Sequence, residues 1–215
     1  RHTPRSIYTY PDQFIPVLEK NGYVIDVDNF IWNKVCACIK MMEDKGIEPV
    51  PISVNVSRMH VYQEKFTENL KNMAGEYGID PKYIPLEITE SAFTKEEGSL
   101  FKKVQSLQGY GFKFSMDDFG SGYSSLGMLK SERVDEVKID KTFVDDIATD
   151  KGKVLLGNVI RMINELGIDM IAEGVETKEQ ADFLKENGCM YAQGYYYYKP
   201  MPIEEFAKLL ENSAR

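Results

Sequence analysis

Hydrophobic residues gather into six short runs along the chain, at 51–56, 84–88, 112–118, 134–139, 170–175 and 190–195. Each run is strand-like and carries a polar side chain toward its carboxyl end: Asn55, Glu87, the pair Asp117 and Asp118, Lys138, Glu173 and Gln193. The stretches between them are longer and show helical spacing, over Phe66–Tyr77 and over 100–109, 154–166 and 179–187. Strand alternating with helix predicts the parallel βα units of an α/β protein. In a closed (β/α) barrel the carboxyl ends of all the strands meet on one face, so residues remote in sequence converge there. A polar group recurring at the same end of run after run therefore predicts an active site spread over the strands.

A chain of 215 residues can bury a sizeable core, and no Pro-, Gly- or Ser-rich linker divides it, so a single domain over residues 1–215 is expected. With 34 acidic against 26 basic residues the net charge is -8. That balance, without a basic block in either half, disfavours a nucleic-acid polymer or an anionic membrane as partner. No apolar stretch approaches the roughly 20 residues of a membrane span. The start, Arg1-His-Thr-Pro-Arg, lacks the apolar core of a signal peptide, and a cytoplasmic location is the expectation. Cys36, Cys38 and Cys189 are an odd set, read as reduced structural thiols. His2 and His60 are the only histidines, too few for a zinc site of ordinary composition.

Glu87, Asp117, Asp118 and Glu173 at one barrel mouth would repel one another, raising their pKa values unless cations neutralise them. With the amide oxygen of Asn55 they make an all-oxygen ligand set, which favours Mg2+ or Mn2+ over zinc and suits a phosphate substrate. The adjacent acids Asp117 and Asp118 can reach two ions, or one ion and one water. Two ions about 4 Å apart could activate a water and stabilise the oxygens of an in-line displacement at phosphorus. Metals would also let an acidic protein bind an anion.

Each residue also has a plainer role open to it. A single carboxylate can be a helix cap or a surface charge. Lys138 is a counter-ion to the acids, or a group that orients and polarises the attacking water, and the two roles are compatible. Gln193 caps a strand end, or holds a water or phosphate oxygen by its amide. Asp118-Phe-Gly-Ser-Gly-Tyr-Ser-Ser is an ordinary turn in which Ser124 or Ser125 caps the next helix, or a lid closing over the site. Glu90 caps a local turn, or reaches across to pin that loop.

Taken together, Ser53-Val-Asn-Val-Ser, Leu86-Glu-Ile-Thr-Glu-Ser, Met116-Asp-Asp-Phe-Gly-Ser-Gly-Tyr-Ser-Ser-Leu, Val137-Lys-Ile-Asp-Lys-Thr-Phe-Val, Ile171-Ala-Glu-Gly-Val-Glu-Thr and Ala192-Gln-Gly-Tyr closely resemble the EAL domain, a family of cyclic di-GMP phosphodiesterases. The resemblance runs from about His2, through Phe14-Ile-Pro, to Lys199-Pro-Met-Pro, nearly the whole chain. It implies a TIM-like (β/α)8 barrel whose first strand is antiparallel to the rest. It also implies hydrolysis of cyclic di-GMP to linear pGpG with Mg2+ or Mn2+, one or two ions, in bacterial signalling. By motif match, Asn55, Glu87, Asp117, Asp118 and Glu173 correspond to the family's metal ligands, and Lys138 and Gln193 to residues around the catalytic water. Glu90 matches the glutamate that holds the Asp-Phe-Gly loop, and Glu176 the second acid of Glu-Gly-Val-Glu-Thr, both supporting the site.

The sequence departs from the family pattern in one large respect. The Glu-Ala-Leu strand, whose glutamate is a metal ligand in the family, should precede His2 and Pro4 by a few residues and does not occur in the chain. A phosphate-contacting arginine should follow that glutamate, and Arg1 stands one or two positions too late to match it. The chain is accordingly read as part of a longer multidomain protein, with a sensory or GGDEF domain expected upstream. His60 replaces the Gln that many members carry after Val-Asn-Val-Ser, at a position read as structural. The family further implies a homodimer formed near the Asp-Phe-Gly loop. The rival reading is a catalytically inactive cyclic di-GMP receptor or interaction module.

Overall fold

The structure, a computed structural model, describes residues 11–90, 92, 97–120, 129 and 134–213. Six strands lie side by side in chain order: β1 (Val54–Asn55), β2 (Leu86–Thr89), β3 (Phe114–Phe119), β4 (Glu136–Ile139), β5 (Asp169–Ala172) and β6 (Tyr191–Ala192). Every adjacent pair is parallel, as βα repeats require. Two helices, α1 (Pro11–Asn21) and α2 (Val24–Asp44), precede β1, and α3 (Phe66–Tyr77) follows it. Then come α4 (Glu97–Gln108) after β2, α5 (Lys141–Asp145) and α6 (Asp150–Glu165) after β4, α7 (Lys178–Glu186) after β5, and α8 (Ile203–Ser213) after β6.

The two-residue period of the strands sorts their side chains into two faces. Leu86 and Ile88, Phe114 and Met116, Val137 and Ile139, and Met170 and Ala172 all point one way and are buried in the main hydrophobic core with Leu70, Leu100, Leu107, Leu156 and Ile160 of the helices. Burying each large apolar side chain of this layer stabilises the fold by about 1.5–3 kcal/mol before entropy is set against it. The alternate positions, Glu87, Ser115, Asp117, Glu136 and Lys138, are polar and lie on the other face. Helix ends follow local chemistry. Gly78 closes α3 in the left-handed conformation, at φ 65°. Thr149 caps α6, and Thr177 with Gln180 forms a capping box at α7.

All six predicted strands form, but β1 and β6 are two residues long where runs of six were expected. The chain around β1 is extended and bonded beyond those bounds, with Ile52, Val54 and Val56 donating to Tyr83, Pro85 and Glu87. Pro85 has no N–H to return toward this segment, which interrupts the ladder. The helices before β1 and after β6 were not predicted beyond helical character around Cys36. The antiparallel first strand has no counterpart among the described residues. Arg1, His2, Pro4, Gly122, Ser124 and Ser125, invoked above for a ligand, a lid or a cap, lie outside the described residues. Among the described residues no helix is long and apolar enough to cross a membrane.

Candidate functional site

Register brings the polar strand ends together. Asn55 of β1 is level with Glu87 of β2, and Thr89 of β2 with Asp117 of β3. Between β3 and β4 the register shifts after Met116, resuming at Phe119 opposite Ile139. Within that shift Asp118 adopts φ 55°, a left-handed conformation unusual for any residue but glycine. Asp117 and Asp118 are thus presented from a bulge rather than from a regular strand.

Lys138 is the centre of the cluster. Its ammonium lies 2.8 Å from Glu87 Oε1, 2.5 Å from Glu173 Oε1 and 3.6 Å from Asp117 Oδ1. Gln193 donates its amide N–H to the same Glu173 oxygen at 2.6 Å. Burial by itself would depress the Lys138 pKa, but Glu87, Asp117 and Glu173 outweigh it and hold the amine protonated. The acids are affected the other way. Burial raises Asp117 and Glu173 despite Lys138, and burial with Asp117 and Asp140 raises Asp118. One ammonium shared among several carboxylates leaves the cluster with an excess of negative charge.

Glu90 and Glu176, expected to support the site, make different contacts. Glu90 is buried and accepts the Gly120 N–H at 3.3 Å, joining the end of β2 to the end of the Asp-Asp-Phe-Gly segment. Glu176 is exposed, lines the same cleft as Glu173 and pairs with Lys141 at 3.0 Å. Lys141, which the sequence reading did not single out, also pairs with Asp145 at 2.9 Å and packs over Gly174. A Cβ at Gly174 would come 2.4 Å from Lys141 Cγ, at φ +68°, so the turn after Glu173 demands glycine. Gly194, after Gln193, is equally constrained, since a Cβ there would lie 2.2 Å from the Val175 carbonyl oxygen. The other omissions are Asp28 and Trp32 of α2. Trp32 donates its indole N–H to the Asn55 carbonyl at 3.0 Å, and Asp28 accepts the Ser57 N–H at 3.1 Å. Nothing in the local sequence marks them, because they act across 23 and 29 residues.

The chemistry of the donors fits a divalent cation: hard oxygens, raised carboxyl pKa values, and a buried Asp117 Oδ1 without a hydrogen-bond partner. The geometry is not that of a preformed chelate. Among the described residues no three carboxylates, imidazoles or thiolates converge closely enough to hold an ion, and the Lys138 ammonium lies among the acids instead. An ion would require side-chain rotation around Lys138. Next to Glu173 and Gln193 opens a cleft of about 870 Å³, lined also by Lys141, Tyr195, Tyr198 and Lys199. The three cysteines lie buried and unpaired, Cys38 at the wall of this cleft; burial pushes the Cys36 thiol up to about 12 and Cys189 to about 11.

A parallel α/β sheet with an acid cluster around a lysine at its strand ends defines the class of protein. The chain belongs to the EAL domain family, whose model matches residues 2–200. It is 35% identical over 205 residues to the oxygen sensor protein DosP of Escherichia coli strain K12, covering 95% of this chain and 26% of DosP. It is 33% identical over 208 residues to PdeG of the same organism, named a probable cyclic di-GMP phosphodiesterase, covering 96% of this chain and 41% of PdeG. The chain therefore spans between a quarter and two fifths of these relatives. Among solved structures, a PaMucR phosphodiesterase in complex with c-di-GMP shares 30% identity and superimposes with a TM-score of 0.88, covering 95% of this chain and 83% of the other. The fold is thus that of the TIM-like EAL barrels, with its six described strands parallel and in sequence order.

Proposed function

We propose that this domain hydrolyses cyclic di-GMP to linear pGpG with Mg2+ or Mn2+, as one domain of a longer cytoplasmic signalling protein. The observation that carries the reading is the contact of Lys138 with both Glu87 and Glu173, beside Gln193 and the cleft. Asn55, Glu87, Asp117, Asp118 and Glu173 would hold the metal. The bound ion would lower the pKa of water and offset charge on the phosphodiester.

The chain's own residues supply the rest. Lys138, held protonated, cannot take a proton from water; it orients the water and donates to phosphate oxygen. Gln193 fixes Glu173 by its amide N–H. Water adding to phosphorus gives up its proton to solvent, and the one P–O bond that breaks leaves a ribose oxygen that takes up a proton from solvent, so that a single linear product remains. Tyr195 and Tyr198 line the cleft as surfaces on which a purine can stack, and Lys141 and Lys199 bring positive charge for the phosphates. Glu90 and Glu176 support the loop and the turn that carry the ligands.

The test is incubation of the full-length protein with cyclic di-GMP and Mn2+, following pGpG by chromatography, with Glu173→Ala as the control. Metal-dependent product lost in the variant supports hydrolysis. Binding without product supports the receptor reading, and neither binding nor product rejects both.

A further inference from the structure

Asn55 sits on an edge strand of the described sheet. Among the described residues β1 pairs with β2 alone, and it is two residues long. A first coordination sphere is only as well directed as the residues behind it, and behind β1 stands α2. Trp32 donates its indole N–H to the Asn55 carbonyl at 3.0 Å, on the main chain of the candidate ligand itself. One turn earlier on the same helix face, Asp28 accepts the backbone N–H of Ser57 at 3.1 Å. Residues 55 and 57 are therefore held from one helix by two contacts spaced as the helix repeats.

Asp28 is 7% exposed, and a carboxylate that deep requires a partner. His60, 1% exposed, provides it: its Nε2 lies 3.0 Å from the same Asp28 oxygen that accepts from Ser57. His60 is fixed in turn by its rings' neighbours, Trp32 at 4.5 Å and Phe66 at 5.5 Å between centroids. The arrangement closes on itself. Trp32 bonds to Asn55 and packs on His60; His60 faces Asp28; Asp28 bonds to Ser57, two residues from Asn55. Val54 and Val56 are buried at 2% and 5% on the helix side of the strand, so Asn55 between them faces the opposite side, where Glu87 is its register partner.

We propose that Asp28 and His60 are positioning residues that fix the direction of Asn55 toward the carboxylate cluster through Ser57 and Trp32. The inference rests on the reading of Asn55 as a metal ligand. It turns the histidine of the Ser57-Arg-Met-His turn from a filler of the core into part of the support for the site.

The experiment is a titration of the full-length protein with Mn2+ alone, followed by electron paramagnetic resonance of the free ion, alongside kcat and KM for cyclic di-GMP. His60→Leu and Asp28→Ala should weaken Mn2+ binding about tenfold or more and lower kcat with KM little changed. His60→Gln, whose amide can still donate to Asp28, should restore most of the affinity. Leu156→Ala, a core truncation in α6, should lower thermal stability while leaving Mn2+ affinity unchanged. In an Asn55→Ala background the loss from His60→Leu should disappear, as expected when both changes act on one group. If His60→Leu does not fold, Asp28→Asn is the substitute, with a several-fold loss of affinity expected. Unchanged Mn2+ affinity in the variants, or an equal loss in Leu156→Ala, overturns the positioning role while leaving the hydrolase reading intact. A wild-type protein that binds no Mn2+ overturns the ligand reading itself, and the positioning role with it.

Discussion

The Lys138 ammonium lies 2.5 Å from the Glu173 carboxylate, although Lys138 is in β4 and Glu173 lies just past the end of β5. Both side chains are largely withdrawn from water, at 7% and 19% exposure. Removing one partner of such a pair leaves the other charge buried and uncompensated, which typically costs about 3–5 kcal/mol. Lys138→Met should therefore lower the stability of the metal-free protein by about that amount and abolish detectable pGpG formation. Urea denaturation with and without Mn2+ measures the first effect, chromatography the second.

Glu90 ties Gly120 to the end of β2 by a hydrogen bond of 3.3 Å. Glu90→Ala removes the acceptor and leaves the Gly120 N–H to find another. The expected stability loss is modest, about 1–3 kcal/mol. The expected loss of kcat is larger in proportion, about 10–100-fold, because the bond supports Asp117 and Asp118. Steady-state kinetics beside thermal denaturation separates the two effects.

The pH dependence of stability has a definite sign. Burial raises Asp117, Asp118 and Glu173, so the folded protein binds protons at these sites more tightly than the unfolded chain. Their contribution is most favourable below the ordinary carboxylate pKa and is lost as pH rises through the raised values. Lys138, also raised, keeps its favourable contribution through neutral pH and loses it only in the alkaline range. In metal-free buffer the urea midpoint should fall as pH rises from mildly acidic toward neutral. Asp117→Asn should flatten that fall, and saturating Mn2+ should flatten it in the wild type. A slope unchanged by Asp117→Asn would contradict the assignment.

Gly174 joins Glu173 to the segment that carries Glu176, at φ +68° with Lys141 packed against it. Gly174→Ala combines an unfavourable backbone conformation with a collision at 2.4 Å. A stability loss of about 1–3 kcal/mol is expected from the backbone alone. Displacement of Lys141 should also break its pair with Glu176 and turn Glu173 away from Lys138. Denaturation and hydrolysis assays should both register the change, with activity more affected than folding.

Much of this was legible in the chain. The positions of the six strands and the polar residue at the end of each follow from alternation alone, because a strand between helices and a site must be apolar on one face and polar on the other. The meeting of Lys138 with Glu87 and Glu173 could be expected as convergence but not as contact, since register is set by neighbouring strands. The roles of Asp28, Trp32 and Lys141 were hidden for a related reason: each acts on residues far along the chain, and each has an ordinary reading in its own helix. Glu176 was expected to support the site; in the structure it pairs with Lys141. The bulge at Asp118 left no local mark either, being visible only against the partner strand.

That bulge also sets the phase of everything after it in the strand. Met116 and Phe119 both face the core, 0% and 3% exposed, although they are three residues apart and an uninterrupted strand would send them to opposite sides. The second aspartate is the extra beat, and the bulge that absorbs it keeps the phenylalanine inside. Deleting either acid would therefore leave a regular strand: the phenylalanine, now two residues after Met116, would stay on the core face opposite Ile139, and the remaining carboxylate would lose the bulge that presents it.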